Sequence, residues 1–179
     1  MVSDEQLMVA YVDGDDEAFR ELFDRYSGRL HRLMLRAGVP EDRAADLVQQ
    51  AFLNLHRARR DFDPDRSLRA WLYTIALNLR REHFRRIGRR RETNLQEAPS
   101  QSVGPEEIQR LEDAQLVSRA LDTLTDTLRS VVELHWFEEL TFREIAEALD
   151  ISRSAAKVRA HRAYKQMRTA IREENPDAP

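Results

Sequence analysis

From Thr141 to Arg172 apolar residues recur every three or four positions, in two runs separated by a short break. Phe142, Ile145, Ala146 and Leu149 make the first run; Ala156, Ala160, Ala163, Tyr164, Met167 and Ile171 make the second. This is the period of an amphipathic helix. Thr141, with Glu144 three residues on, has the form of a capping box. In the break, Asp150 tolerates left-handed backbone and Ser152 can cap a helix. Arg153, Lys157, Arg159, Arg162, Lys165 and Arg168 lie outside the second apolar stripe. A short helix, a tight turn and a longer basic helix predict a helix-turn-helix, whose second helix suits the DNA major groove. A helical hairpin with a solvated basic face is the competing reading of this stretch.

The same period runs through most of the chain. Asp15 or Asp16 can cap a helix carrying Phe19, Leu22, Phe23, Tyr26, Leu30, Leu33 and Met34 on one face, ended by Gly38-Val39-Pro40. Residues 43–59 place Leu47, Val48, Ala51, Phe52 and Leu55 inward, and 61–67 is a loop of turn residues. A third helix starting near Ser67 carries Leu68, Trp71, Leu72, Ile75, Ala76 and Leu79 as its core stripe. Three such stripes can bury one another, which predicts a helical domain over 1–91. Residues 92–105 are polar and aperiodic and read as a flexible linker. From 106 the period returns, with Ile108, Leu111, Ala114, Val117, Leu121 and Leu124, then Leu128, Val131, Val132 and Trp136. Residues 106–179 therefore make a second domain that ends in the helix-turn-helix and a frayed tail. The predicted fold is all-α: two small helical domains joined by a linker.

Charge sharpens this picture by its distribution, not its sum. The 179 residues carry a net charge of −3, which argues against indiscriminate nucleic-acid binding. Yet the first 27 residues are acidic, and Arg80, Arg81, Arg85, Arg86, Arg89, Arg90 and Arg91 form a dense basic run. That run is an electrostatic footprint for phosphate, and the early acids are candidates to shield it. Phe62, Trp71, Tyr73 and Phe84 flank the run, and aromatic faces beside a basic groove suit single-stranded bases. Trp71 falls on the apolar stripe and is at least partly core; Tyr73, off the stripe, is the better candidate for exposure. In the helix from Arg153, Lys and Arg can bond guanine edges and His161 can reach a base or phosphate. Arg168, farther along, suits a phosphate contact.

Other chemistry is poorly represented. There is no cysteine, and His31, His56, His83, His135 and His161 are scattered without metal-ligand spacing. His135 is expected as a satisfied core histidine. No glycine loop for phosphate and no catalytic triad spacing stand out. No enzyme activity, metal or cofactor is expected. No apolar run is long enough to span a bilayer and no secretory signal opens the chain, so a cytoplasmic protein is expected.

Three blocks together resemble one family. Asp46 to Arg57 (DLVQQAFLNLHR) resembles the "DLVQExFLxLwR" helix of bacterial sigma factors of the extracytoplasmic-function (ECF) type. Leu68 to Asn78 (LRAWLYTIALN) resembles that group's "fraWLyrIArN" helix, and the segment from Leu140 resembles its "LsxxEIAexLgvsxgTVKsRlhRAr" module. The blocks fall in order across nearly the whole chain. The resemblance implies a transcription initiation factor that binds core RNA polymerase and promoter DNA, with an anti-sigma protein as a candidate regulator. It places Asp46, Leu47, Gln49, Gln50 and Phe52 on the polymerase-contacting helix. Phe62, Asp63, Arg66, Ser67, Asn78, Arg81 and Arg85 fall at the −10 element. Arg153, Ser154, Lys157, Arg159, His161 and Arg162 fall at the −35 element. The chain departs from the pattern at Gln50 (usually Glu), Asp150 (Gly), Ala155-Ala156 (Thr-Val), Val158 (small polar) and Leu124-Thr125 (Leu-Pro). The alternatives at this point are a helix-turn-helix regulator that works without polymerase, and a helical adaptor using residues 43–60 as its partner face.

Overall fold

The computed structural model describes residues 2–90 and 115–174, with the side chains of Arg89, Arg90 and Glu174 left aside. Within them every regular element is helical. The first domain holds α1 (Asp4–Val12), α2 (Asp16–Arg36), α3 (Glu41–Arg57), a 3-10 turn (Arg59–Asp61) and α4 (Leu68–Arg90). The second holds α5 (115–122), α6 (Asp126–Val132), a π turn (Glu133–Phe137), α7 (Phe142–Leu149) and α8 (Arg153–Glu174). The linker expected at 92–105, with Arg91, Ile108, Leu111 and Ala114, lies outside the described residues.

The helix ends follow their capping residues. Asp15 accepts from the Glu17 and Ala18 amides to start α2. Gly38, at φ +80, turns the chain out of α2, and Pro40, with no N–H to lose, caps α3. The helix α1 was not anticipated. Ser3 and Gln6 form a complete capping box there, and Leu7, Met8 and Tyr11 are buried against the rest of the domain. Leu22, Tyr26, Leu30, Leu33 and Met34 of α2, and Leu47, Val48, Ala51, Phe52 and Leu55 of α3, enter the same core. Each fully buried Leu or Met there contributes roughly 1.5–3 kcal/mol.

Two features depart from expectation. First, α4 is buried on two sides. Leu68, Leu72 and Ala76 are buried as predicted, but so are Ala70, Tyr73 and Leu77, while Trp71, Ile75 and Leu79 are only half-buried. The second side of α4 is covered by α7, so the two domains lie against one another and share a continuous apolar core. Tyr73, expected at the surface, is 0% exposed, and its hydroxyl donates to Glu138. Second, α6 ends in a π turn, closed where the Glu138 amide donates to the Glu133 carbonyl at 3.2 Å. The wider turn shifts the side-chain phase. Trp136, expected inward, stands 64% exposed, while Glu133, Leu134 and Glu138 turn in. His135 is satisfied as expected: Nδ1 lies 3.0 Å from the Leu140 carbonyl and the ring stacks on Phe142.

Candidate nucleic-acid interface

The helix-turn-helix is built as its residues dictate. The Thr141 hydroxyl accepts from the Glu144 amide, and Glu144 accepts from the Thr141 amide. Asp150 takes the left-handed conformation at φ 51, and Ser152 accepts from the Ala155 amide at 3.1 Å to open α8. Ala156, Ala160 and Ala163 are the buried stripe of α8. Their small side chains bring the helix close to its neighbours and leave a wide outward face. Arg153, Ser154, Lys157, His161 and Arg162 are exposed on that face, and Arg159 is half-buried. Val158, also exposed, points directly away from the alanine stripe and is the one apolar side chain set among these cations. Exposed β-branched carbons in such a setting suit the thymine methyl group.

In the first domain Phe62 stacks on Trp71, with ring centroids 5.6 Å apart. Phe62, Asp63, Arg66 and Ser67 line a groove of about 270 Å³ with Trp71, and Glu147 and Asp150 of the second domain close its far wall. On the other side of Trp71, Asn78 is exposed and accepts from Arg81 at 3.0 Å. Arg85 lies one turn beyond Arg81 and is also exposed. Trp71, Ile75, Asn78 and Arg85 follow helical spacing, so the loop and the basic end of α4 lie along one stripe. The structure thus brings the expected −10 residues to one side of the domain. Phe84, half-buried, packs edge-on to His83.

The basic run is less open than its sequence suggests. Arg80 is 2% exposed and donates to Glu133 and to the Ser130 hydroxyl, so it is no free phosphate contact in this conformation. Arg86 pairs with Glu82. The early acids do not supply these partners: Asp4 and Glu21 pair with Arg25, and Glu17 with Arg20. On α3, Asp46 pairs with Arg43, and Gln49 and Gln50 are exposed, whereas Leu47 and Phe52 are core residues. The apolar surface beside them comes from Leu53, which periodicity did not single out, and from Phe23, which periodicity placed on the apolar face of α2 but which is 37% exposed.

Burial raises the Tyr73 phenol well above its ordinary range, aided by the adjacent Glu138 carboxylate. Burial also pushes the Glu144 carboxyl up, but bonds from the Thr141 amide and hydroxyl, with Arg69 and Ser67, outweigh it and leave it lowered. Among the described residues no cluster of three or more His, Asp or Glu could hold a metal ion, and no helix is long and apolar enough to cross a membrane.

Two all-helical domains, one with an outward basic recognition helix, define a DNA-binding protein. Comparison with known proteins narrows the class. Residues 22–90 match the Sigma-70 region 2 family and residues 120–169 match Sigma-70 region 4. The chain is 30% identical to the ECF RNA polymerase sigma-E factor of Escherichia coli K12, over 90% of this chain and 91% of that one. A solved structure of CnrH in complex with the cytosolic domain of CnrY superposes with a TM-score of 0.75, at 28% identity, over 98% of this chain and 99% of CnrH. The sigma factor RpoE of Bartonella quintana, solved with the anti-sigma factor NepR, shares the fold at TM-score 0.67 and 20% identity, over 86% and 96% of the two chains. The chain belongs to the ECF RNA polymerase sigma factors, and its function is transcription initiation.

Proposed function

We propose a division of labour among residues of this sigma factor. The exposed side of α3, with Asp46, Gln49 and Gln50, contacts core RNA polymerase, while Leu47 and Phe52 hold that side in register from below. The stripe formed by Phe62, Asp63, Arg66, Ser67, Asn78, Arg81 and Arg85 reads and opens the −10 element. The outward face of α8, with Arg153, Ser154, Lys157, Arg159, His161 and Arg162, reads the −35 element in the major groove. The boundaries are 1–91 for the first unit and 106–179 for the second, with 92–105 between them.

The observation that supports this assignment most is the outward face of α8, where cations and Val158 stand opposite the buried alanines. Each domain alone offers a small contact area to DNA. Held on polymerase at a fixed span, the second contact becomes effectively intramolecular, so avidity rises without new contacts. An anti-sigma partner belongs to the same proposal, in line with the complex in which the RpoE fold was solved.

Run-off transcription with core polymerase tests the scheme. The chain should direct initiation from selected promoters, and disruption of either element should abolish it. A polymerase-independent regulator would instead bind duplex DNA tightly and specifically by itself, and that result would sink the scheme.

A further inference from the structure

Val158 is an exposed apolar residue whose place the packing of the chain does not explain. It is 49% exposed, and by helical spacing it stands opposite the buried Ala156, Ala160 and Ala163. Among the described residues it joins neither apolar cluster of the core. The groove beside Trp136 and Tyr164 begins at His161 and runs toward the end of α8, away from Val158. Helix formation does not call for valine either, since serine would serve the backbone about as well. One turn away on the same face are Ser154, His161 and Arg162, all exposed. Val158 lies in the second turn of α8, within the early part of a recognition helix, which is the part that meets base edges. The family pattern has a small polar residue here, so a contact made through valine belongs to this chain.

We propose that Val158 is a specificity-determining residue that reads the C5-methyl group of a pyrimidine in the −35 element. This rests on the −35 assignment of α8 above. The side chain has no donor and no acceptor. Laid on a guanine, adenine or unmethylated cytosine edge, it strips water from a polar atom and returns no hydrogen bond. The thymine methyl is the one apolar group that the major groove offers, and covering it carries no such loss. Valine is also stiff. Branching at Cβ holds one rotamer in a helix, so its two methyl groups are fixed before contact and little freedom is lost on binding. The cations around it set the register by bonding purine edges or phosphates, and Val158 then discriminates at one step. What it reads is the methyl, not the base. 5-Methylcytosine carries the same group at the same place, so methylation of cytosine at this step converts a disfavoured base into a tolerated one. The −35 readout of this chain is thereby sensitive to cytosine methylation.

Holoenzyme assembled from the full chain and core polymerase first selects promoters from DNA randomised at the −35 element. Each thymine of the selected element, on either strand, is then replaced in turn by deoxyuridine, which lacks only the methyl group. Competition binding reads the effect. At one thymine the unsubstituted chain should lose about fourfold in affinity, the worth of roughly one buried CH2 group. Holoenzyme with Val158→Ser should lose nothing from the same replacement. The position is exposed and the two residues have similar helix propensity, so this variant keeps the fold. The coupling between the two changes isolates the contact from the separate effect of either one. At the thymine so found, 5-methylcytosine should bind about fourfold better than cytosine with the unsubstituted chain, and no better with Val158→Ser. A selected element without thymine, a methyl dependence that Val158→Ser leaves unchanged, or no gain from methylating cytosine overturns the proposal. Lys157→Ala combined with Arg162→Ala separates it from the reading beneath it. If that double variant selects the same −35 bases, the assignment of α8 has failed. If its selection changes while the methyl coupling is absent, the assignment stands and only the role of Val158 has failed.

Discussion

The helices α4 and α8 are both long and basic, yet they meet the protein in opposite ways. Leu68, Ala70, Leu72, Tyr73, Ala76 and Leu77 bury α4 from two directions, as expected of a helix that is apolar over much of its circumference. Only a narrow stripe from Trp71 to Arg85 is left uncovered. In α8 the fully buried positions are three alanines, and nearly everything else reaches solvent. A basic helix can read DNA only with the surface that packing leaves over. The basic face of α8 is therefore open in the free chain, and much of α4 is screened.

Core substitutions offer the hardest way to break this contrast. Leu72→Ala removes a buried side chain from the middle of α4 and should destabilise the protein by about 2–5 kcal/mol. Met167→Ala, at a half-buried position of α8, should cost less than about 1 kcal/mol. Urea unfolding midpoints at unchanged slope measure both. Equal costs would mean that α8 is held as firmly as α4, and the contrast would fail.

Recognition sharpens it next. Lys157→Ala and Arg162→Ala should each weaken holoenzyme binding at the −35 element by about 1–3 kcal/mol if the side chains bond base edges. Competition binding on wild-type and scrambled elements decides the matter. Loss confined to the cognate element marks base readout, whereas equal loss on both reassigns the residue to phosphate.

A smaller effect separates the turn from its helices. Thr141→Ala deletes the hydroxyl that accepts from the Glu144 amide and should cost about 1 kcal/mol. Thermal unfolding reads it. A null result would show that docking on α4, not the cap, fixes where α7 begins.

What could be read ahead of the structure divides along the same line. The capping pair Thr141 and Glu144, the left-handed Asp150 and the cap at Ser152 are local devices, and each stands where its residues placed it. Ser3 and Gln6 carry a signal of the same kind for α1, set beside the acidic residues Asp4 and Glu5 of its first turn. Tyr73, Arg80 and Trp136 could not be placed by periodicity. Tyr73 and Arg80 are buried by residues some fifty to sixty-five positions away, since Tyr73 bonds Glu138 and Arg80 bonds Glu133. Trp136 turns outward because a π turn breaks the helical phase. The candidate site followed suit: α8 was readable from one helix, but the state of α4 depends on what the other domain lays over it.

The finest test falls on Glu144, which belongs to both halves of the comparison. It completes the α7 cap and bonds Ser67 and Arg69 of the first domain. Burial raises its carboxyl, but its donors outweigh burial and the folded value lies below the ordinary one. A carboxylate lowered in the folded state stabilises above its unfolded value, roughly pH 4.3, and that contribution fades as pH falls through the folded value. Gln can still close the capping box, so Glu144→Gln isolates the ionic part. At neutral pH the variant should be less stable by about half a kcal/mol, the size of a partly screened ion pair. Below the carboxylate range the two unfolding free energies should converge, because protonated Glu144 and Gln are then electrically alike. A gap that persists unchanged into acid would mean that shape, not charge, seats α7 against Ser67 and Arg69.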